Sequence, residues 1–205
     1  AKAEAVWLFD DGAGIKVVDS SGHKRNGSIV GKDKWVKGKF GGGLELSGTQ
    51  NNEVIIEGYK GIGGNSPRTT VLWYWTKKAG RCRLVCWGAN DTAIKYHVRI
   101  HEGDTFRVET QGGQLFANKP KLTDGEWHHL ACVFPPRGKM CHDHILYVDG
   151  VEIKDRGGNN VGVDTDTKTN DVEIGWNKWV GHGDPAQGVF DEVAIQHSLE
   201  RKRHQ

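Results

Sequence analysis

The sequence predicts an all-β fold, a two-sheet antiparallel sandwich of the jelly-roll kind. Three observations predict it. Gly supplies 29 of 205 residues and Trp 8, whereas Met occurs once and Pro only 5 times. No segment of a dozen residues carries a clean 3.6-residue apolar period. Short apolar or alternating runs recur instead, divided by Gly, Asn, Asp and Lys, as turns divide strands.

In order, the expected strands are AVWLF (5–9), GLELSG (43–48), EVIIE (53–57), TTVLWYWTK (69–77), RLVCWG (83–88), IKYHVRIH (94–101), TFRVET (105–110) and GQLFA (113–117). WHHLACVF (127–134), HILYVDGVEI (144–153), DVEIGW (171–176) and GVFDEVAIQ (188–196) follow. The VDGVEI stretch is a tight hairpin, because Asp149-Gly150 supplies the positive backbone angles of a type I′ turn. ETQGGQL is a second, through Gly112 and Gly113. SLERKRHQ at the C-terminus is a helical turn or a frayed tail. No linker or repeat period interrupts the series, so residues 1–205 are expected to form one domain with its core over about 5–200.

Composition excludes several classes. Net charge is +2, which gives no electrostatic case for nucleic acid. No run of 18 apolar residues exists, so no helical membrane insertion is expected. AKAEAVWLF has no signal-peptide pattern, and a trimmed secreted chain would look the same. The four cysteines allow three pairings. Cys82 and Cys86, in one strand, lie about 13 Å apart, too far to bridge. Cys132 and Cys141 could meet across a hairpin, and buried free thiols are an equal alternative.

In DGEWHHLACVF the adjacent histidines invite a metal reading. Side chains of a strand alternate faces, so His128 shares a face with Leu130, Cys132 and Phe134, and His129 with Trp127, Ala131 and Val133. The two rings point apart and cannot hold one metal. By the same alternation Trp73 and Trp75 share a face, expected between the sheets. Trp176 and Trp179, around a Gly-rich loop that also holds His182, are the candidates for exposure.

One pattern suggests a ligand face. Arg81 and Arg83 share a side of one strand, His97, Arg99 and His101 of the next, and Arg107 and Glu109 of a third. If these strands are neighbours, they form a basic patch whose arginine forks suit carboxylate or sulfate groups. An exposed aromatic, Tyr74 or Trp179, would stack a sugar beside it, the ligand being a glycan or polysaccharide, acidic or neutral. The alternative is a solvated face of cross-strand Arg–Glu pairs.

Laid end to end, VWLFDDGAGIKVVDSSGHKRNGSIVG, GKFGGGLELSG, TTVLWYWTK, DGEWHHLACVF with LYVDGVEI, DVEIGW and GVFDEVAIQHSLE resemble the laminin-G-like jelly roll of the concanavalin A-like lectin/glucanase superfamily. The resemblance covers about residues 5–200. It implies a structural calcium tying the N-terminal turn to the last strand, held by Asp19, Asn26, the Gly43 carbonyl and Asp191. It also prompts a search for the superfamily's Glu-x-Asp-x-x-Glu strand. HEGDTFRVE offers Glu102-x-Asp104, but Arg107 stands where the third acid belongs and Glu109 comes two residues late. Gln196-His197 has the wrong order for the lyase motif. MCHDHIL reads as a polar loop rather than a zinc site, and DTDTKTND as a solvated turn, because Lys168 and Thr169 break the calcium-loop template.

The expectation is therefore a non-catalytic carbohydrate-binding module of a longer secreted, cell-surface or periplasmic protein. A protein–protein adhesion module of the same fold and an atypical polysaccharide hydrolase or lyase are the alternatives. A fold alone does not choose among them.

Overall fold

A computed structural model describes residues 3–178 and 183–198. Its strands are β1 (Ala3–Trp7), β2 (Lys16–Val17), β3 (Gly27–Val30), β4 (Asp33–Lys37), β5 (Gly42–Ser47), β6 (Glu53–Ile56), β7 (Arg68–Trp75), β8 (Cys82–Gly88) and β9 (Lys95–Ile100). They continue as β10 (Phe106–Glu109), β11 (Gln114–Ala117), β12 (Trp127–Phe134), β13 (Ile145–Val148), β14 (Val151–Glu152), β15 (Arg156–Asn159), β16 (Val172–Ile174) and β17 (Gln187–His197).

Two antiparallel sheets form a sandwich. The first runs β14-β13-β12-β7-β17-β5-β4, with β1 also paired to β17. The second runs β15-β11-β10-β9-β8-β16-β6-β3-β2. Between them lie Trp7, Leu44, Leu72, Tyr74, Leu130 and Phe190 from the first sheet and Val54, Trp87, Tyr96, Val98 and Phe106 from the second, all inaccessible or nearly so. Each such side chain removed from water stabilises the fold by about 1.5–3 kcal/mol. Arg68 is buried in this core, its guanidinium between the Tyr96 and Phe134 rings. It donates to the carbonyls of Ile62 and Gly64 and to Thr165 Oγ1.

The Asp149-Gly150 hairpin is present, with both residues at positive φ. The second hairpin turns on Gln111-Gly112, one residue earlier than the sequence suggests, because Thr110 and Gly113 pair across it. The phase expected for β7 is corrected. Tyr74, 1% exposed, points inward, while Trp73 and Trp75 are half-buried on the outer face. Both faces of VLWYW are apolar, so alternation alone does not choose. The hydroxyls do, because Thr70 meets Tyr96 Oη and Tyr74 donates to the Gln187 carbonyl.

His128 and His129 lie on opposite faces of β12, opposite Tyr74 and Trp73 respectively. His128 links Asp149 (2.8 Å) and Asp124 (3.2 Å), pinning the β13–β14 hairpin, and the His129 ring packs on Trp73 at 5.2 Å. All four cysteines are buried free thiols.

Candidate functional site

β8, β9 and β10 are neighbours, and their register lines up the basic residues. Arg83 stands opposite Arg99, and Arg99 opposite Arg107. The next row holds Cys86, His97 and Glu109, and Lys95 follows on the same face. Alternation places Tyr96, Val98 and Ile100 behind them in the core, which is why the polar rungs share one side.

The row is not a solvated face. Arg83 is 4% and Arg99 5% exposed, and His97 is fully buried. Glu109 accepts from Lys95, from Arg99 Nη1 at 2.9 Å and from Arg107 Nη2 at 2.6 Å. Burial alone would raise its pKa, but the charges of Lys95, Arg107 and Arg99 hold it at about 2. His97 has no hydrogen-bond partner at either ring nitrogen, and burial followed by the neighbouring cations holds its pKa well below the usual imidazole range. These strand positions carry four cations, Arg83, Lys95, Arg99 and Arg107, against one carboxylate, Glu109.

Residues after β16 supply the cover. The Gly183 carbonyl accepts from Arg83 Nη1, and Asp184 accepts from Arg99 Nη2 and stands 3.4 Å from Arg81 Nε. Arg81 is the exposed edge of the cluster, its side chain 48% accessible and 3.2 Å from Glu102. Beside it, Lys78, Gly80, Arg81, Asp184 and Gln187 line a cleft of about 160 Å³. At the other edge Arg107 Nη1 meets His101 Nδ1 at 3.2 Å, and the His101 ring stacks on Phe116 at 4.2 Å.

Further along this face are two buried acids. Glu173 of β16 lies opposite Ile55, which places it diagonally beside Glu53 on β6. Each has one oxygen without a hydrogen-bond partner. Burial raises Glu53 to about 7, while burial and the adjacent Glu53 charge raise Glu173 to about 8.

The sequence profile of the concanavalin A-like lectin/glucanases superfamily matches residues 48–201. The chain belongs to that superfamily. No curated protein matches it significantly in sequence. Among solved structures it resembles domain 4 of AbnA, an extracellular arabinanase of Geobacillus stearothermophilus solved with arabinotriose. The identity is 21%, with 97% of this chain and 93% of that one covered and a TM-score of 0.69. It also resembles the binding domain of Paraclostridial Mosquitocidal Protein 1 (14% identity, 96% and 49% covered, TM-score 0.66). A third is Trypanosoma rangeli sialidase solved with sialic acid (13%, 96% and 31%, TM-score 0.59). The chain thus spans about half of the second protein and a third of the last.

Trp179 and His182 lie outside the described residues. Tyr74, expected as an exposed sugar platform, is instead core. The Asp19 carboxylate accepts from the backbone of Val6, Ser21 and Arg25 and from the Ser21 hydroxyl, at 2.8–3.0 Å. Asn26 Oδ1 accepts from Asp19 N. Asp191 Oδ2 accepts from Phe40 N, and Gly43 lies in β5 opposite Val36. Asp19 and Asn26 share no bonding partner with Asp191, and their side-chain oxygens already face N–H and O–H donors. The Asp19 and Asn26 oxygens are thus engaged by turn donors, whereas Asp191 Oδ1 is buried with no hydrogen-bond partner. Among the described residues no group of three His, Cys, Asp or Glu side chains gathers as metal ligands. In the former glucanase-like stretch, Asp104 accepts from Gly80 N, so it caps a loop.

Proposed function

We propose that this chain is a non-catalytic carbohydrate-binding module that takes an acidic glycan on the β8–β10 face. The ligand approaches from the Arg81 edge and the His101–Phe116 side. The observation that carries the reading is the excess of positive charge built into three adjacent strands, four cations to one carboxylate. The exposed Arg81 guanidinium at the edge of the row suits a carboxylate, and a stacked ring pair at the other edge offers an apolar surface for a sugar. Carbohydrate ligands in the arabinanase domain and the sialidase support a sugar as the ligand class. Among the described residues no helix is long and apolar enough to cross a membrane. We place the protein outside the cell or at its surface, by analogy with the extracellular arabinanase.

The test is a glycan array spanning neutral and carboxylated polysaccharides, with Arg81→Ala and Arg107→Met as variants. Arg81 is exposed at the edge, and Met retains the packing of the Arg107 stem. Retention of carboxylated glycans that weakens in both variants and with added salt supports the reading. Absence of glycan binding across the array sinks it and favours a protein partner. A hydrolytic reading has one observation behind it, the Glu53–Glu173 pair with raised pKa values. Release of new reducing ends that is lost in Glu173→Gln would establish it.

A further inference from the structure

We propose that Asp184 is an internal stand-in for a ligand carboxylate, occupying the anion site that Arg81 and Arg99 form. The proposal rests on the acidic-glycan reading above and deepens it. Two guanidiniums from separate segments converge on this carboxylate. Arg99 Nη2 donates to its Oδ2, and Arg81 Nε lies 3.4 Å from its Oδ1. Such two-point capture is how arginines recognise a free carboxylate. Asp184 is not a strand rung. It arrives from the segment after β16 and holds a left-handed backbone, φ 60°, beside Gly183 at φ 69°. Its carbonyl accepts from Arg83 N at 2.9 Å, so the backbone is anchored independently of the carboxylate.

The strands do not need this acid for their own pairing, because Glu109 already bonds Lys95, Arg99 and Arg107. The cleft of about 160 Å³ opens directly beside Asp184 and Arg81, with Lys78 on its wall. A uronate or sialate carboxylate entering there meets Arg81 and Lys78, and reaches Arg99 by displacing the carboxylate of Asp184. Apparent affinity is then reduced by the fraction of molecules in which Asp184 holds the site. The chain carries an occluding group that sets a threshold and rejects neutral sugars.

The experiment uses Asp184→Asn in the full chain. Asn tolerates the left-handed backbone and preserves shape, and Asp184→Gly is a second variant that fits the same φ. Unfolding temperature is followed against sulfate, with ionic strength held constant by sodium chloride. Both variants are expected to gain ~3 °C or more from sulfate, with wild type much less, because an anion bound only to the native state stabilises it. Calorimetry with tetragalacturonate is expected to show at least tenfold tighter binding by Asp184→Asn, with no gain for the methyl ester. Equal responses of wild type and variants to sulfate overturn the stand-in role. Tetragalacturonate binding that is unchanged or weaker in the variants overturns it too, and leaves the glycan reading intact. A sulfate gain without binding of any acidic glycan keeps the stand-in role and removes the glycan reading.

Discussion

Glu173→Gln should make the protein more stable at alkaline pH and leave it nearly unchanged at pH 5. Glu173 is fully buried with one oxygen unpartnered, and its pKa in the fold is raised by burial and by Glu53 to about 8. A raised carboxyl pKa means the native state holds the proton that the unfolded chain releases near pH 4.5. The contribution is therefore complete below pH 4.5 and is lost as pH rises through about 8. Each pH unit in that window costs about 1.4 kcal/mol, so wild type loses about 4 kcal/mol between pH 5 and 8 from this group. Gln has the same shape and does not titrate, so its curve lacks this fall. Urea unfolding at half-unit pH intervals measures it. Parallel wild-type and variant curves from pH 5 to 9 would refute the argument, because they would mean that Glu173 is ionised at little cost.

Glu109 should behave in the opposite sense. Its pKa is held at about 2, so Glu109→Gln is expected to lose about 3 kcal/mol near neutrality, with the difference closing as pH falls through 2. A pH-independent difference in urea titrations would contradict this. Arg68→Ala should cost about 3–5 kcal/mol, because it opens a cavity between Tyr96 and Phe134 and strands the Ile62 and Gly64 carbonyls. A loss under about 1 kcal/mol in denaturant unfolding would show that the site collapses without penalty. The thiols should react slowly with an aromatic disulfide reagent at pH 8 and fully in denaturant. Burial pushes Cys82 and Cys141 to about 11 and Cys132 to about 12, with Cys86 raised further. Fewer than four reactive thiols after unfolding would indicate a disulfide.

The sandwich was legible because period-two alternation is local, and each strand declares its own buried rungs. The same alternation placed Arg83, Arg99 and Arg107 on one face once β8–β10 were taken as neighbours. It failed at β7, where both faces are apolar and only the Thr70 and Tyr74 hydroxyl partners choose the inward side. Short or Gly- and Lys-rich strands such as β4, DKWVK, and β15, RGGN, carried no alternation to read. The cover over the arginine row was invisible for another reason. Asp184 reaches Arg99 across 85 positions of chain, and Glu53 meets Glu173 through the non-local β6–β16 pairing. The signal that could have found the acids is their place as lone carboxylates within EVII and VEI, whose other residues are all apolar.

A carboxylated glycan received by the arginine row must perturb the guanidiniums themselves. The most direct measurement is a titration of arginine side-chain Nε–Hε resonances in isotope-labelled protein with tetragalacturonate and a sialylated oligosaccharide. Saturable shifts at Arg81, Arg99 and Arg107 are expected with at least one of them, weakened by salt. Binding that perturbs the Trp73–Trp75 face and leaves those three arginines unmoved would contradict it.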